Sequence, residues 1–240
     1  MRDSGWVGRL EALFRSRVAP AVALALLVLY ALVAVAGGVE RMSWWYLTFG
    51  LQRQEVLDGK VWQVASHALL HGNWPHVGLN GLMVWVLGAR VEHVLGKAGL
   101  LKALGWGVLG GALGHLLLVV PGTDGISPLV GISGGCMALL LVITTLSPDS
   151  RMFPLPVSGR SLGLGVMFAE LGFALLEPGL GLPGLSGIGG LLVRHGWGEW
   201  FQVGHACHFG GCLAGWLFAR SVLRPRVTLA TLRAERSRRE

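Results

Sequence analysis

Six long apolar runs, separated by short stretches that carry most of the charge, dominate the chain. A helix needs roughly 17 to 25 mostly apolar residues to cross a bilayer. Six segments are of about that length: 18–37, 76–95, 99–120, 131–147, 161–178 and 203–222. The first of these segments contains no charged residue. The pattern predicts an all-α membrane protein, built as a bundle of six transmembrane helices.

Two longer connections between the predicted spans are also partly apolar. Residues 39–74 are rich in tryptophan and amphipathic, which favours a folded first loop that lies in the membrane interface rather than in water. Residues 177–200 are apolar but interrupted by glycine and proline. We expect this second connection to lie across the mouth of the bundle.

Composition supports a membrane protein, and charge predicts its orientation. Hydrophobic residues make up 52% of the chain, charged residues 14%, and the mean hydropathy is +0.59. The net charge of +7 would suggest nucleic acid in a soluble chain, but the basic residues lie at the ends and in the connections. If both termini are cytoplasmic, 16 of the 20 Lys and Arg residues fall on the cytoplasmic side, as the positive-inside rule requires. We therefore expect membrane lipid as a partner, and no nucleic acid.

Three regions follow from this organisation. They are a cytoplasmic N-terminal segment at 1–17, a six-helix domain at 18–222 and a basic cytoplasmic tail at 223–240. The first apolar run is too long for the core of a signal peptide and lacks a convincing cleavage site, so we expect it to remain as a span. The predicted location is a cell membrane, crossed several times, and specifically a bacterial inner membrane.

Polar residues inside spans are costly and therefore candidates for function. Ser133 begins the fourth span, His208 lies in the sixth, and His76 and Asn80 lie four residues apart on one face of the second. Serine hydrolysis needs a hydroxyl, a base and donors for the oxyanion. Ser133 offers the hydroxyl and His208 the base. The first N–H groups of the fourth span, with His76 and Asn80, offer the donors.

Glycines around these residues predict a close approach of the fourth and sixth spans. Gly131 and Gly134 flank Ser133, and Gly211 and Gly215 share a face with His208. Such packing would bring His208 within a hydrogen bond of Ser133. No carboxylate is placed by the sequence to orient His208, because Glu170 falls in the middle of its span. The sequence therefore predicts a Ser–His dyad rather than a triad.

At these motifs the chain resembles the rhomboid family of intramembrane serine proteases. GISG at 131–134 matches the family's Gly-x-Ser-Gly, HVGLN at 76–80 matches His-x-x-x-Asn, and HFGGCLAG at 208–215 matches His-x-x-Gly-x-x-x-Gly. The resemblance covers about 60–222. One departure is Trp62-Gln63, where the family usually has Trp-Arg, and it leaves the anchoring of the first loop open.

The resemblance implies a six-helix rhomboid fold and a protease that cleaves transmembrane protein substrates within or near the bilayer. It implies Ser133 as nucleophile and His208 as general base. His76, Asn80 and backbone N–H groups, including that of Ser133, would form the oxyanion hole. It implies no cofactor.

Structural roles compete with each of these assignments. Ser133 alone suits close helix packing, and His76 with Asn80 would also serve as polar contacts between helices. His205 competes with His208 as the base, but only His208 has glycines three and seven residues later. The spacing of His67, His71 and His76 invites zinc, yet no acidic or thiolate ligand accompanies them, so we expect no metal. Glu170 is interpreted as structural, and burial would favour its protonated form.

Other functions remain open at this stage. A catalytically silent rhomboid-like protein that binds membrane segments has no need for Ser133, His208 and Asn80 together. A protease restricted to substrates with a C-terminal anchor would have the same chemistry, and the sequence does not choose between these substrates. A transporter predicts internal repeats or charged pairs across spans, and the sequence contains neither.

Overall fold

The computed structural model describes residues 13, 15–118, 128–152, 155–224, 233 and 236–238. Most of the predicted N-terminal segment 1–17 and basic tail 223–240 lies outside the described residues, as does the end of the third predicted span. The described residues are all-α apart from two isolated β-bridges. The predicted all-α architecture is confirmed over these residues.

Six main helices form the framework, and their bounds are α1 Val18–Val35, α2 Trp74–Leu118, α3 Ser133–Leu146, α4 Gly159–Leu176, α5 Leu185–Leu192 and α6 His205–Val222. Two predicted spans, 76–95 and 99–120, form the single element α2. That element breaks at Gly96, where φ is 72° and ψ is 176°. Only glycine adopts such a backbone readily, so Gly96 divides α2 into two helical halves.

By length and composition, three helices of the described residues can cross a membrane: α1, α2 and α4. The helix α3 is apolar but has 14 residues, and α6 carries a row of polar residues at its start. The total of six spans and the cytoplasmic position of both termini stay predictions.

The core lies where α2, α3 and α6 meet, with α1 packed on α2 and α4 packed on α6 and α3. Glycines permit this close packing. A Cβ on Gly107 would lie 2.7 Å from the Cα of Gly135, and one on Gly114 would lie 3.0 Å from the Cα of Gly210. Because lipid tails are as apolar as the helices, backbone contact of this kind is a main source of association in membranes.

Side-chain caps set where several helices begin. Asn73 Oδ1 accepts a hydrogen bond from the N–H of His76 at 2.8 Å, and Ser158 caps α4 in the same way through Ser161. Glu92 of α2 accepts hydrogen bonds from the N–H groups of Val18 and Ala19 at the start of α1. A carboxylate at a helix N-terminus is favourable because the unpaired N–H groups carry partial positive charge. The Glu92 contact also fixes α1 and α2 relative to each other.

The first loop is folded rather than extended. It contains the short helices Gly38–Arg41, Ser43–Phe49, Arg53–Leu57 and Gln63–Ser66, and a 3-10 turn at His67–Leu69. Gln63 is fully buried: its Oε1 accepts from the N–H of Gln52 at 3.0 Å, and its Nε2 donates to the carbonyls of Leu47 and Thr48. The loop is therefore anchored without the family's usual arginine.

The first loop also holds the segment that leads into α3. Leu51 and Leu129 form an antiparallel bridge with hydrogen bonds of 2.9 and 3.0 Å, and the N–H of Gly131 donates to the carbonyl of His67 at 2.9 Å. Residues 178–202 connect α4 to α6 through the 3-10 turn Pro178–Leu180, α5, a π-type turn Val193–Trp197 and the 3-10 turn Gly198–Gln202. Both connections thus border the end of the bundle where α3 and α6 begin.

Candidate active site

Ser133 is the first residue of α3, at the point where a loop becomes a helix. Gly131, two residues earlier, has a φ of 110°, a conformation that side chains with a Cβ rarely adopt. The N–H groups in the first turn of a helix have no partner within the helix and attract negative charge. The start of α3 therefore offers a hydroxyl and hydrogen-bond donors at one place.

His76 and Asn80 of α2 lie against this turn. A Cβ placed on Gly131 would fall 2.6 Å from His76 Nε2 and 3.3 Å from Asn80 Nδ2. Asn80 is 3% exposed, and its Nδ2 has no hydrogen-bond partner among the residues that the structure describes. A buried polar group without a partner lowers the stability of the fold by about 1–3 kcal/mol. The unpaired amide of Asn80 is therefore a candidate for a functional donor. The structure therefore places both side chains beside the turn that precedes Ser133.

Backbone contact joins the start of α3 to α6. A Cβ on Gly211 would overlap the carbonyl oxygen of Gly134, and one on Gly215 would overlap that of Ala138. His208 precedes Gly211 by one turn and shares its face. The structure therefore contains the close approach of helices that the glycines predict.

The expected hydrogen bond between Ser133 and His208 is not formed within the described residues. Catalytic hydrogen bonds are often long in the absence of substrate and shorten when the reacting complex forms. The backbone contact between Gly134 and Gly211 keeps the turns that carry Ser133 and His208 next to each other.

A carboxylate does contact His208, and on this point the sequence prediction was wrong. Glu170 Oε1 lies 3.2 Å from His208 Nδ1, and Glu170 Oε2 lies 2.6 Å from His205 Nδ1. Glu170 is only six residues, about 9 Å, from the C-terminal end of α4. The two histidines lie in the first turn of α6, where the next predicted span starts. Counting each residue's depth from that shared end of the spans would have placed Glu170 at the level of the two histidines.

His205 is held by contacts on both ring nitrogens. Its Nδ1 faces Glu170, its Nε2 lies 2.7 Å from the carbonyl oxygen of Trp200, and its ring stacks on Phe173 with centroids 4.9 Å apart. His208 has no hydrogen bond to Nε2 from the described residues. A general base needs a nitrogen that can accept a proton, so His208 fits that role better than His205.

Two further histidines support the site from the first loop. His67 Nδ1 hydrogen-bonds to the carbonyl oxygen of Gln63 at 2.9 Å, and the ring of His71 meets that of His76 edge-on with centroids 5.0 Å apart. Burial lowers the pKa of both His67 and His71 to about 4. Both side chains are therefore neutral near neutral pH: His67 is a hydrogen-bonding group, whereas His71 packs against His76.

One known protein family matches the part of the chain that contains the site. The protein-family model described as the Rhomboid domain matches residues 58–225. No curated protein matches the chain at a significant level. The family match and the apolar helices together make the chain an integral membrane protein. Since the matched region covers more than half of the chain and includes Ser133, Glu170 and His208, this protein belongs to the rhomboid family.

Proposed function

We propose that this protein is an intramembrane serine protease that cleaves transmembrane segments of other membrane proteins. The observation that carries the proposal is the backbone contact between Gly134 and Gly211, because it sets the turn with Ser133 beside the turn with His208. The family consists mostly of such proteases but includes inactive members. Support for activity therefore comes from the residues rather than from membership.

In the proposed reaction, Ser133 Oγ attacks the carbonyl carbon of the scissile peptide bond while its proton passes to His208 Nε2. The resulting imidazolium then gives that proton to the departing amine as the C–N bond breaks. A water molecule, deprotonated by the same nitrogen, attacks the acyl-enzyme ester. Its hydrolysis releases the new carboxylate and restores Ser133.

The negative charge of the tetrahedral intermediate needs donors that are already in position. We assign this role to the N–H groups at the start of α3, including that of Ser133, and to the side chains of His76 and Asn80. The unpaired, buried Nδ2 of Asn80 supports the assignment, since an oxyanion beside Gly131 would supply its missing partner. The glycines at 131, 134, 211 and 215 allow α2, α3 and α6 to pack closely around the site.

Glu170 is a positioning residue in this proposal. A neutral histidine that donates Nδ1–H to Glu170 has its lone pair on Nε2, which is the tautomer that can take a proton from serine. The sequence predicted a dyad, and the Glu170 contact supports a third member that acts through His208. The reacting pair remains Ser133 and His208.

The surroundings of the site suit a substrate that is itself in the membrane. We propose that both termini face the cytoplasm of a bacterial cell and that the domain occupies 18–222 in the inner membrane, between the N-terminal segment 1–17 and the basic tail 223–240. The partners are then transmembrane protein substrates and membrane lipid. No cofactor or nucleic acid enters the reaction.

Covalent labelling tests the nucleophile directly. In detergent, wild-type protein should react with a fluorophosphonate probe, and Ser133→Ala should not. Ser221→Ala, which alters an exposed serine of α6, should label as wild type does. Wild type and Ser221→Ala should also cleave a test transmembrane substrate, and Ser133→Ala should not. Folded wild-type protein that neither labels nor cleaves would instead indicate a silent membrane-segment binding protein.

The range of substrates needs a cellular experiment. Membrane proteins released from cells that express the wild type, but not from cells that express Ser133→Ala, would be identified by mass spectrometry. Release of only C-terminally anchored proteins would restrict the proposal to that class of substrate.

A further inference from the structure

Three side chains converge near the start of α6 in a set that can hold a metal ion. Glu170, His205 and His208 each present one ligand atom, and these atoms lie within 4.8 Å of one another. Their side chains are 15%, 9% and 12% exposed. His205 and His208 are three residues apart on one helical face, and Glu170 reaches them from α4. No metal was expected at this place, because Glu170 lies 35 residues before His205 in the chain.

The hydrogen bonds of His205 require a proton between this histidine and Glu170. The carbonyl oxygen of Trp200 is only an acceptor, so His205 Nε2 at 2.7 Å must carry a hydrogen. Nδ1 lies 2.6 Å from a carboxylate oxygen. Two lone pairs cannot face each other at that distance, so one proton must lie between Nδ1 and Oε2. That proton occupies the position between the imidazole and the carboxylate where a metal ion would bind both groups.

We propose that a divalent transition-metal ion of the Zn²⁺ type replaces that proton and binds Glu170, His205 Nδ1 and His208 Nδ1. A tetrahedral zinc ion lies about 2.0–2.2 Å from nitrogen and oxygen ligands, which separates the ligand atoms by about 3.4 Å. The Glu170 oxygens now lie 2.6 and 3.2 Å from the two nitrogens. No two of the three ligand atoms are more than 4.8 Å apart, so side-chain shifts on the order of 1 Å would complete the site, and water would fill the fourth position.

The donor set selects the class of ion. Two imidazoles and one carboxylate suit Zn²⁺ and its first-row neighbours, whereas Mg²⁺ and Ca²⁺ prefer oxygen ligands. The Trp200 carbonyl fixes the orientation of His205 from behind, and outer contacts of this kind strengthen metal sites.

Metal binding would switch off the proposed protease, an effect that rests on the proposed function. When Nδ1 of His208 binds the ion, the proton on that nitrogen moves to Nε2, and the proton shared by His205 and Glu170 leaves to solvent. His208 Nε2 is then an N–H donor and cannot accept the proton of Ser133. The ion therefore inhibits by fixing the wrong tautomer of the base.

Binding is measured on the Ser133→Ala variant, purified in detergent with any histidine tag removed, so that the result does not depend on activity. Co²⁺ serves as a spectroscopic probe and Zn²⁺ as its competitor. We expect one Co²⁺ per chain with the visible absorption of a tetrahedral site, and its displacement by one equivalent of Zn²⁺. Adding Glu170→Gln or His205→Gln should weaken binding at least about tenfold. Adding His195→Gln, an exposed histidine, should leave it unchanged.

A second measurement separates the two proposals. Fluorophosphonate labelling of wild type should fall on adding Zn²⁺ and return on adding a chelator. Metal binding without any labelling of the metal-free wild type would overturn the protease and leave the metal site standing. Labelling that Zn²⁺ does not alter would overturn the inhibition. No tetrahedral Co²⁺ signal from Ser133→Ala that elutes as a folded species would overturn the metal site itself.

Discussion

At the scale of single residues, a few buried polar side chains determine how the site is held. Gln63 shows this most clearly: its amide oxygen accepts the N–H of Gln52 while its amide nitrogen donates to two carbonyls. An arginine, which has only donors, could not accept that N–H. The departure from the family's usual Trp-Arg pair is therefore accompanied by a matching set of acceptors and donors in the first loop.

Glu170 provides the sharpest prediction at this scale. Glu170→Gln keeps an acceptor for His208 but removes the negative charge that would stabilise the imidazolium formed during reaction. We expect the rate of fluorophosphonate labelling to fall at least about tenfold, with unchanged membrane insertion and elution. Glu199→Gln, at an exposed carboxylate, is the matched control and should label normally.

Glu170→Asp distinguishes positioning from packing. Aspartate retains the charge but is one methylene shorter, whereas glutamine retains the size without the charge. Partial recovery in the aspartate variant alone supports a role through His208. Normal labelling of Glu170→Gln, or better labelling by glutamine than by aspartate, would reduce Glu170 to a packing residue.

At the scale of elements, the apolar runs predicted the helices closely. Segments 131–147 and 203–222 appear as α3 at Ser133–Leu146 and α6 at His205–Val222. The motifs also predicted that Gly211 and Gly215 pack against α3. The contact between α4 and α6 was harder to predict: the distance of Glu170 from the end of α4 gives its depth, but the sequence does not give the rotation of α4 that turns Glu170 towards α6. The short helices of the first loop could not be predicted either. Tertiary hydrogen bonds stabilise them, and they are too short to show a helical period of apolar residues.

The glycine contact between α3 and α6 gives a prediction about helix packing. Gly211→Val would drive its Cβ into the carbonyl oxygen of Gly134, separate the helices and move His208 away from Ser133. We expect labelling and cleavage to fall at least about a hundredfold, since displacements of about 1 Å have effects of that size. Both activities are measured at equal amounts of folded, membrane-inserted protein.

Gly172→Val is the matched control, because Gly172 is also helical and an added Cβ there meets no atom within 4 Å. Gly181 is less suitable: it too is open, but its φ of 64° would strain any β-branched residue. Full activity of Gly211→Val at normal stability would contradict the proposed pairing of α3 with α6.

At the scale of the whole molecule, the site depends on parts that are distant in sequence. The first loop binds the residues before α3, α2 supplies His76 and Asn80, and the end of α4 meets α6. His67 connects the first loop to the segment before α3. Its ring hydrogen-bonds to the carbonyl of Gln63, and its own carbonyl accepts the N–H of Gly131. Protonation of His67 should therefore lower the stability of the entire fold.

Acid should destabilise the protein through His67. Burial lowers its pKa from 6.5 to about 4, so below pH 6.5 the unfolded chain takes up a proton that the folded chain does not. The free energy of unfolding should fall as the pH drops from 6.5 towards 4, by about 3 kcal/mol from this residue, with no further loss below that range. Unfolding in detergent, followed by tryptophan fluorescence across this pH range, measures the effect.

His67→Asn removes the titrating ring while its amide can still donate to the Gln63 carbonyl. The variant should lose less stability than wild type over the same pH interval, even if it is less stable at neutral pH. His195→Asn, at an exposed position, should follow the wild-type curve. The difference between the two slopes isolates His67 from the carboxylates, because their contribution is common to both proteins. Parallel curves for wild type and His67→Asn would mean that the folded protein protonates His67 as readily as the unfolded chain, and the loop that leads to Ser133 would then be open to water.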